Sequence, residues 1–253
     1  MSDRNYAADP SVQDAPFELK TIARIQSDFT EKFGIPRQSG LVPSLKARVI
    51  FEPEFRDPNA VKGIEGYSHL WLIWLFSKAV RDTFSPTVIP PRLGGRAHMG
   101  VFATRSPFRP NRIGLSCVEI ESIESHTERG PIIHVRGIDM MDGTPIFDIK
   151  PYIPYCDSIP EARGGFTTDL KSALLNVEDE NNLLSPLKDD EREAITAILA
   201  SDPRPRYHND ENRIYGFEYG AWEIKFSVAG EMVKVIGLDR KKMGRLPKPP
   251  HSR

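Results

Sequence analysis

Short β-prone runs, separated by connections that contain proline or glycine, are the feature of this 253-residue chain that most limits its fold. Several such runs at this spacing predict an antiparallel β-barrel or β-sandwich. Proline and glycine in the connections supply the turns that join the strands. We expect strands at Leu19–Ile25, Ala47–Phe51, His69–Phe76, Ile113–Ile123, Pro131–Ile138 and Thr144–Ile149.

Two details of this pattern predict how the strands are arranged. The run Ile113–Ile123 alternates in part, which predicts that Ile113, Leu115, Cys117 and Val118 face inward before the pattern changes face. An Asp-Gly pair at 142–143 lies between the last two expected strands and is a strong signal for a tight hairpin turn. These two strands are therefore expected to form a hairpin.

The chain changes character at the glycine-rich, polar stretch from Pro160 to Ser172, which is the best candidate for a domain boundary. Beyond it, Lys188–Ala200 places its apolar residues on one helical face, and Trp222–Val228 and Met232–Leu238 resemble a hairpin. The basic end is either a disordered, solubilising tail or an RNA-contacting one. We expect a mainly β protein with a flexible leader (1–16), an antiparallel β-barrel or β-sandwich domain (17–165), a small α+β C-terminal domain (166–239) and a basic tail (240–253).

The composition argues against several classes of protein. The chain has 39% hydrophobic and 27% charged residues, and no apolar run approaches the ~20 residues of a membrane span. The N-terminus lacks the features of a secretory signal, so we expect a cytoplasmic protein. Two distant cysteines and scattered histidines favour neither a disulfide framework nor a metal site. No GxGxG motif follows a strand, which argues against a Rossmann cofactor site.

Positive charge is concentrated between Pro90 and Gly114. Five arginines and no carboxylate give this stretch a charge of +5 in a chain whose formal total is -1. A guanidinium group can pair two phosphate oxygens at once, and prolines restrict the backbone that carries these groups. The stretch therefore predicts a shaped anion site, with a solvated basic face as the simpler alternative. The arginines are Arg92, Arg96, Arg105, Arg109 and Arg112.

Six motifs follow one another along the chain. They are PRQSGL at Pro36–Leu41, GxExxSHLWL at Gly63–Leu72, PPRLGG at Pro90–Gly95, MGVFATRSPFRPNxIG at Met99–Gly114, DMMDGTPIFDIKPYIP at Asp139–Pro154 and DPRPRY at Asp202–Tyr207. In this order they closely resemble the TrmO family, also called TsaA-like proteins. The resemblance runs from about Leu19 to Leu238 and includes the C-terminal part.

The resemblance implies an S-adenosylmethionine-dependent tRNA methyltransferase whose β-barrel body forms a homodimer. The implied acceptor is N6 of threonylcarbamoyladenosine beside the anticodon of threonine tRNA. Methyl transfer from a sulfonium needs neither a metal nor a covalent intermediate, so the lack of a catalytic triad is compatible with this activity. A non-catalytic RNA-binding module and a methyltransferase for a different acceptor remain as alternatives.

The resemblance also implies where the cofactor lies: across the PRQSGL loop, the end of the strand that begins at His69, and the segment that begins at Asp139. Taken singly, these residues have simpler roles in loops, core or turns. Ser77 stands where relatives can carry histidine, so a general-base role does not transfer to it. The implied cofactor contacts are Gln38, Ser39, Gly40, Phe76, Ser77, Arg105, Leu115, Asp139, Met140, Met141 and Asp142.

Asp139 and Asp142 are the candidate catalytic residues. The acceptor nitrogen of threonylcarbamoyladenosine is a poor, urea-like nucleophile. A carboxylate that removes or orients its proton could add ~10²–10⁴ in rate.

Five residues are candidates for RNA contacts. Arg92, Arg109 and Arg112 suit tRNA phosphates, and Arg112 adds charge where proline is common in the family. Arg204 and Tyr207 belong to DPRPRY, which is either a rigid element that contacts phosphate and stacks on an unpaired base or a simple turn after the helix.

Overall fold

Each β-prone run forms a strand in the computed structural model, which describes residues 18–81, 83–90, 97–168, 174–204, 210–211 and 213–241. The first strand begins later than expected. The α-helices are α1 (Pro154–Asp157) and α2 (Asp189–Ala200). The strands are β1 (Ala23–Ser27), β2 (Lys46–Phe51), β3 (His69–Leu75), β4 (Thr87–Val88), β5 (Met99–Gly100), β6 (Ile113–Glu124), β7 (Ile132–Arg136), β8 (Pro145–Pro151), β9 (Asn176–Glu178), β10 (Tyr215–Tyr219), β11 (Trp222–Ala229) and β12 (Met232–Arg240).

Six of the described strands close into an antiparallel barrel in the order β1-β2-β7-β6-β3-β8, and β8 pairs with β1 to complete it. This confirms the barrel alternative of the predicted fold class. Strand β3 is apolar on both faces, and its residues Leu70, Leu72 and Trp74 point into the core. Closure leaves no unpaired edge within the barrel, so its strands are held on both sides.

The predicted orientation of β6 is wrong for Ile113, Leu115 and Cys117, whereas the inward position of Val118 is confirmed. The inward residues of this strand are Gly114, Ser116 and Val118, whereas Ile113 and Leu115 are exposed. Both alternating sets contain apolar residues, so the sequence pattern does not decide between them. Pairing with β3 decides, because Gly114 lies opposite Trp74 and a methyl group on Gly114 would lie 2.3 Å from Cε2 of that indole.

The predicted hairpin between β7 and β8 is also wrong, although the turn itself forms. The amide of Thr144 donates to the carbonyl of Met141 at 3.2 Å, and Gly143 has a φ of 72°. However, β7 pairs with β2 and β6, while β8 pairs with β1 and β3. The connecting segment, residues 137–144, therefore crosses the end of the barrel.

A second sheet follows in the order β10-β11-β12-β9, with β9 parallel to β12 and the other pairs antiparallel. The predicted terminal hairpin is confirmed as β11 and β12. Helix α2 starts with acidic residues, which favour the positive end of the helix dipole. Its buried face is confirmed and comprises Ala194, Ile195, Ile198 and Leu199.

The second sheet packs against the segment that follows β1. The amide of Gly220 donates to the carbonyl of Asp28 at 2.8 Å. The rings of Phe29 and Tyr219 meet edge to face at 5.3 Å between centroids. Buried aromatic contacts of this kind stabilise the arrangement beyond the area they bury. The C-terminal sheet thus supports the start of the β1–β2 connection.

Several predicted features lie outside the described residues. They are the leader, Arg92, Arg96, Tyr207 and the tail beyond Lys241. The boundary near residue 165 remains a prediction, since residues 169–173 are likewise outside the described ranges.

Gly34 tests the packing of the second sheet on the barrel. It has a φ of 92°, and a methyl group there would lie 2.9 Å from Cδ2 of Phe217. Gly63 has a φ of 91° but nothing within 4 Å of the corresponding position. Because both alanine variants share the backbone strain, Gly34→Ala should lower the free energy of unfolding by about 1–3 kcal/mol more than Gly63→Ala. Urea unfolding measures the difference, and equal losses would contradict this packing.

Candidate active site

A cavity of about 780 Å³ lies at one end of the barrel. The antiparallel order brings three chain connections to this end: residues 28–45, 76–112 and 137–144. All three contribute to the cavity wall, together with the end of β3 and the start of β6. Its volume falls within the roughly 300–1,000 Å³ of small-molecule sites.

The wall is basic and apolar, with one acidic side chain among the described residues that line it. The apolar part comes from the end of β3 and the start of β6, including Trp74, Phe76 and Leu115. The acidic residue is Asp139, which the barrel-crossing segment carries. The cavity thus combines a single carboxylate with a surplus of positive charge. The basic residues are Lys32, Arg37, Lys78, Arg105 and Arg109.

Asp139 is held by a hydrogen-bonded chain that starts in the barrel core. The indole Nε1 of Trp74 donates to Oγ of Ser116 at 2.9 Å. Oγ of Ser116, which is fully buried, lies 2.6 Å from Oδ1 of Asp139. An indole N–H can only donate, so the hydroxyl accepts from Trp74 and directs its own hydrogen to the carboxylate. The chain therefore fixes both the position of Asp139 and the direction of the bond it receives.

Burial raises the pKa of the Asp139 carboxyl to about 6. The hydrogen bond from Ser116 opposes this rise most strongly. The backbone amides of Asp139 and Ser39 and the charge of Arg105 oppose it as well. Desolvation favours the neutral acid, while donors and a nearby cation favour the carboxylate. The balance leaves a group that is mostly ionised at neutral pH and more basic than an ordinary aspartate.

Trp74 and Ser116 were missed by the sequence reasoning. The Trp74 ring packs on Phe76, with centroids 4.2 Å apart, and covers Gly114. Ser116 is a polar residue at an inward position, between Gly114 and Val118. Ser116 can be recognised as an unusual inward polar residue only when the inward-facing residues of β6 are known. Those residues are fixed by the pairing of β6 with β3.

The PRQSGL loop is pinned against this end of the barrel. The side chain of Gln38 accepts a hydrogen bond from the guanidinium of Arg105. Oγ of Ser39 accepts from the amide of Cys117 at 3.1 Å, and the amide of Gly40 donates to the carbonyl of Gly137 at 2.8 Å. Gln38 lines the cavity, whereas Ser39 and Gly40 hold the loop in place without lining it.

The structure brings most of the predicted cofactor residues together and separates the two catalytic candidates. Asp142 is exposed, and its carboxylate accepts from the amide of Ser27 at 3.1 Å. It does not line the cavity, because the bend at 142–143 turns it away from Asp139. The predicted residues that line the cavity are Gln38, Phe76, Ser77, Arg105, Leu115, Asp139, Met140 and Met141.

Among the predicted RNA-contacting residues that the structure describes, Arg109, Arg112 and Arg204 have different surroundings. Arg109 lines the cavity, and Arg112 lies on the connection next to β6 without lining it. The side chain of Arg204 forms a 2.9 Å ion pair with Asp202, and both side chains are largely buried. Its carbonyl accepts from the guanidinium of Arg37 at 3.1 Å. Arg204 thus positions a cavity residue through its backbone while its charge is paired internally.

The described ranges contain neither a cluster of metal-ligating side chains nor a membrane-spanning helix. They hold no group of three or more histidine, cysteine, aspartate or glutamate residues arranged for a metal ion. No helix among them is long and apolar enough to cross a membrane.

A closed antiparallel barrel with a ligand cavity at one end and an additional C-terminal sheet is the class of protein that this geometry defines. The chain matches the tRNA-methyltransferase O N-terminal domain over residues 24–158 and the TrmO C-terminal domain over residues 166–241. It therefore belongs to the TrmO family.

Similar proteins cover most of the chain. An Escherichia coli (strain K12) protein named tRNA (adenine(37)-N6)-methyltransferase is 40% identical over 225 residues, which are 84% of this chain and 92% of that protein. A Pyrococcus abyssi protein, described as a probable S-adenosyl-L-methionine-binding protein, is 34% identical over 66% of this chain and 84% of its own length. The crystal structure of TrmO from Pseudomonas aeruginosa has a TM-score of 0.71 at 32% identity, covering 88% of this chain and 98% of that one.

The raised pKa of Asp139 predicts a pH-dependent gain of stability in Asp139→Asn. The folded-state pKa of about 6 lies above the unfolded value of about 3.9, so the folded state binds more protons between these limits. Stability is therefore lost as pH rises through this window, by about 3 kcal/mol in all. Removing the charge should raise the free energy of unfolding at about pH 7.5 and change it little below about pH 4.

Urea unfolding at the two pH values measures this effect, with Glu161→Gln as the control at an exposed carboxylate. A loss of stability in Asp139→Asn at about pH 7.5 would show that the ionised carboxylate is favourable in the fold.

Proposed function

We propose that the chain is an S-adenosylmethionine-dependent methyltransferase that modifies N6 of the adenosine beside the anticodon of tRNA. The observation that carries the proposal is the position of Asp139, a half-buried carboxylate fixed by Ser116 in a cavity that is otherwise basic and apolar. Membership of the TrmO family and the E. coli relative's name support this class of reaction.

Asp139 is the proposed catalytic residue. At neutral pH it is mostly ionised, and its raised pKa makes it a stronger base than an exposed aspartate. It accepts or orients the N6 proton of the acceptor, which the methyl group replaces. Ser116 and the backbone amides of Asp139 and Ser39 use part of the acceptor capacity of the carboxylate, and the remainder serves this contact. Asp142, which faces away, is assigned a structural role in the turn.

The cavity fits the proposed cofactor. When bound, S-adenosylmethionine supplies an electrophilic methyl group on a sulfonium. The apolar wall formed by Phe76, Leu115 and Met140 suits its adenosine part, and Gln38 and Arg105 provide polar contacts at the rim. Holding the two reactants in line lets proximity provide ~7–11 kcal/mol of the barrier reduction. The Pyrococcus abyssi relative's description supports this choice of cofactor.

The full acceptor is threonylcarbamoyladenosine, with threonine tRNA as the substrate that the family resemblance indicates. Its threonyl carboxylate and the neighbouring phosphates are anionic, which suits the cationic rim formed by Lys32, Lys78 and Arg109. Arg112 extends this charge along the same connection, and Arg92 belongs to the same arginine-rich stretch. Such contacts weaken steeply with salt.

The assembly is a homodimer. The family resemblance supports this assembly. The barrel domain holds the cofactor, and the C-terminal domain, from about residue 166, supports the cavity wall through Arg204 and Arg37. The cytoplasm, where tRNA is modified, is the proposed location.

Methyl transfer to tRNA tests the proposed function. Labelled S-adenosylmethionine is incubated with the full chain and with tRNA prepared with or without threonylcarbamoyladenosine, and the nucleosides are then separated by mass. Label should appear on threonylcarbamoyladenosine alone. Label on another nucleoside would assign a different acceptor. Cofactor binding without any transfer would favour a non-catalytic RNA-binding module.

Ser116→Ala tests the role of the hydrogen-bonded chain. If Asp139 acts as a carboxylate, kcat/KM should fall as pH drops through about 6. Ser116 lowers the pKa of Asp139, so its removal should raise that pKa and move the acidic limb to higher pH. The pH–rate profile measures the shift. Ser122→Ala, at an exposed position on the same strand, should leave the limb in place. An unmoved limb in Ser116→Ala would reject the role of this hydroxyl.

A further inference from the structure

Phe102 is unusually exposed for a large apolar side chain beside a cavity. It occupies the centre of a short 3-10 turn, Val101–Ala103, and is 72% exposed while lining the cavity. Val101 is buried next to it, and the amide of Val101 donates to the carbonyl of Pro86 at 2.9 Å. Burial of Val101 and its hydrogen bond to Pro86 therefore hold the 3-10 turn in place, and the turn exposes the Phe102 ring to solvent.

A second ring and an arginine flank Phe102. Phe84 is 58% exposed and stacks on Phe102, with 6.4 Å between centroids and 27° between planes. The guanidinium carbon of Arg109 lies 5.9 Å from the Phe102 centroid. Nη1 of Arg109 donates to the carbonyl of Thr104 at 3.1 Å, which holds this cation over the ring.

These residues meet the requirements for binding single-stranded nucleic acid. Aromatic faces stack on unpaired bases, and arginine beside them contacts the backbone between those bases. The sequence from Thr83 to Val118 contains no acidic residue, so phosphate is attracted along the whole stretch. A second copy seated here would bring its own Arg105, Arg109 and Arg112 against the same three residues, which disfavours this surface as a dimer contact.

We propose that Phe102 is a stacking platform for an unpaired RNA base next to the nucleotide that enters the cavity, with Phe84 supporting the ring from behind. The proposal rests on the function proposed above and adds a residue that positions the RNA loop. The 3-10 turn Val101–Ala103 would thus recognise the RNA loop. The cavity itself then receives the acceptor nucleoside.

Binding of a short RNA hairpin, with a fluorescent purine in its unpaired loop, tests the platform in the absence of cofactor. Stacking on Phe102 should change the purine fluorescence when the full chain binds. Phe102→Ala should weaken binding about tenfold or more and abolish the fluorescence change. Phe102→Trp, which keeps an aromatic face, should preserve both signals. Tyr155→Ala is the control, since Tyr155 is an exposed aromatic residue that does not line the cavity.

Equal affinities of the wild type and Phe102→Ala for the hairpin would overturn the proposal. So would a shift of Phe102→Ala from dimer to monomer in sedimentation without a change in RNA affinity, because that result assigns the ring to a contact between copies. Because this assay needs no methyl transfer, its outcome is independent of whether the reaction proposed for the cavity occurs.

Discussion

The packing of the Trp74 indole on Gly114 is the contact on which the site depends. A glycine is required there because a methyl group would overlap the ring. This pairing sets which residues of β6 face inward and so buries Ser116 within reach of both Trp74 and Asp139. A single cross-strand contact in the barrel core thereby determines the environment of the proposed catalytic carboxylate.

Barrel closure provides the second constraint. Since β7 and β8 pair with different neighbours, the segment between them must span the end of the barrel. That span carries Asp139 into the cavity and leaves Asp142 on the outside of its turn. Two aspartates separated by two residues consequently have different surroundings. Their chemistry follows from the path of the backbone, because the side chains themselves are identical.

The charges of the site are arranged in two zones. The inner zone holds Asp139, whose desolvation is offset in part by hydrogen bonds and by Arg105. The outer zone holds the lysines and arginines of the rim, where water lowers the energy of separate charges. This division suits proton transfer at Asp139 in the inner zone and phosphate contacts with the lysines and arginines of the outer zone. It also keeps most of the cationic groups from depressing the pKa of Asp139 to its ordinary value.

The sequence by itself determined the approximate positions of the six barrel strands and of the β11–β12 hairpin, helix α2, the clustered arginines and, through its motifs, eight cofactor candidates that line the cavity. These features depend on local spacing and residue type. Tertiary structure decided the inward face of β6, the partners of β7 and β8, and the separation of Asp139 from Asp142. An alternating pattern allows either set of residues to face the core, and a turn signal does not indicate which strands pair with each other. The physical reason is that packing and hydrogen bonds between distant segments resolve both choices.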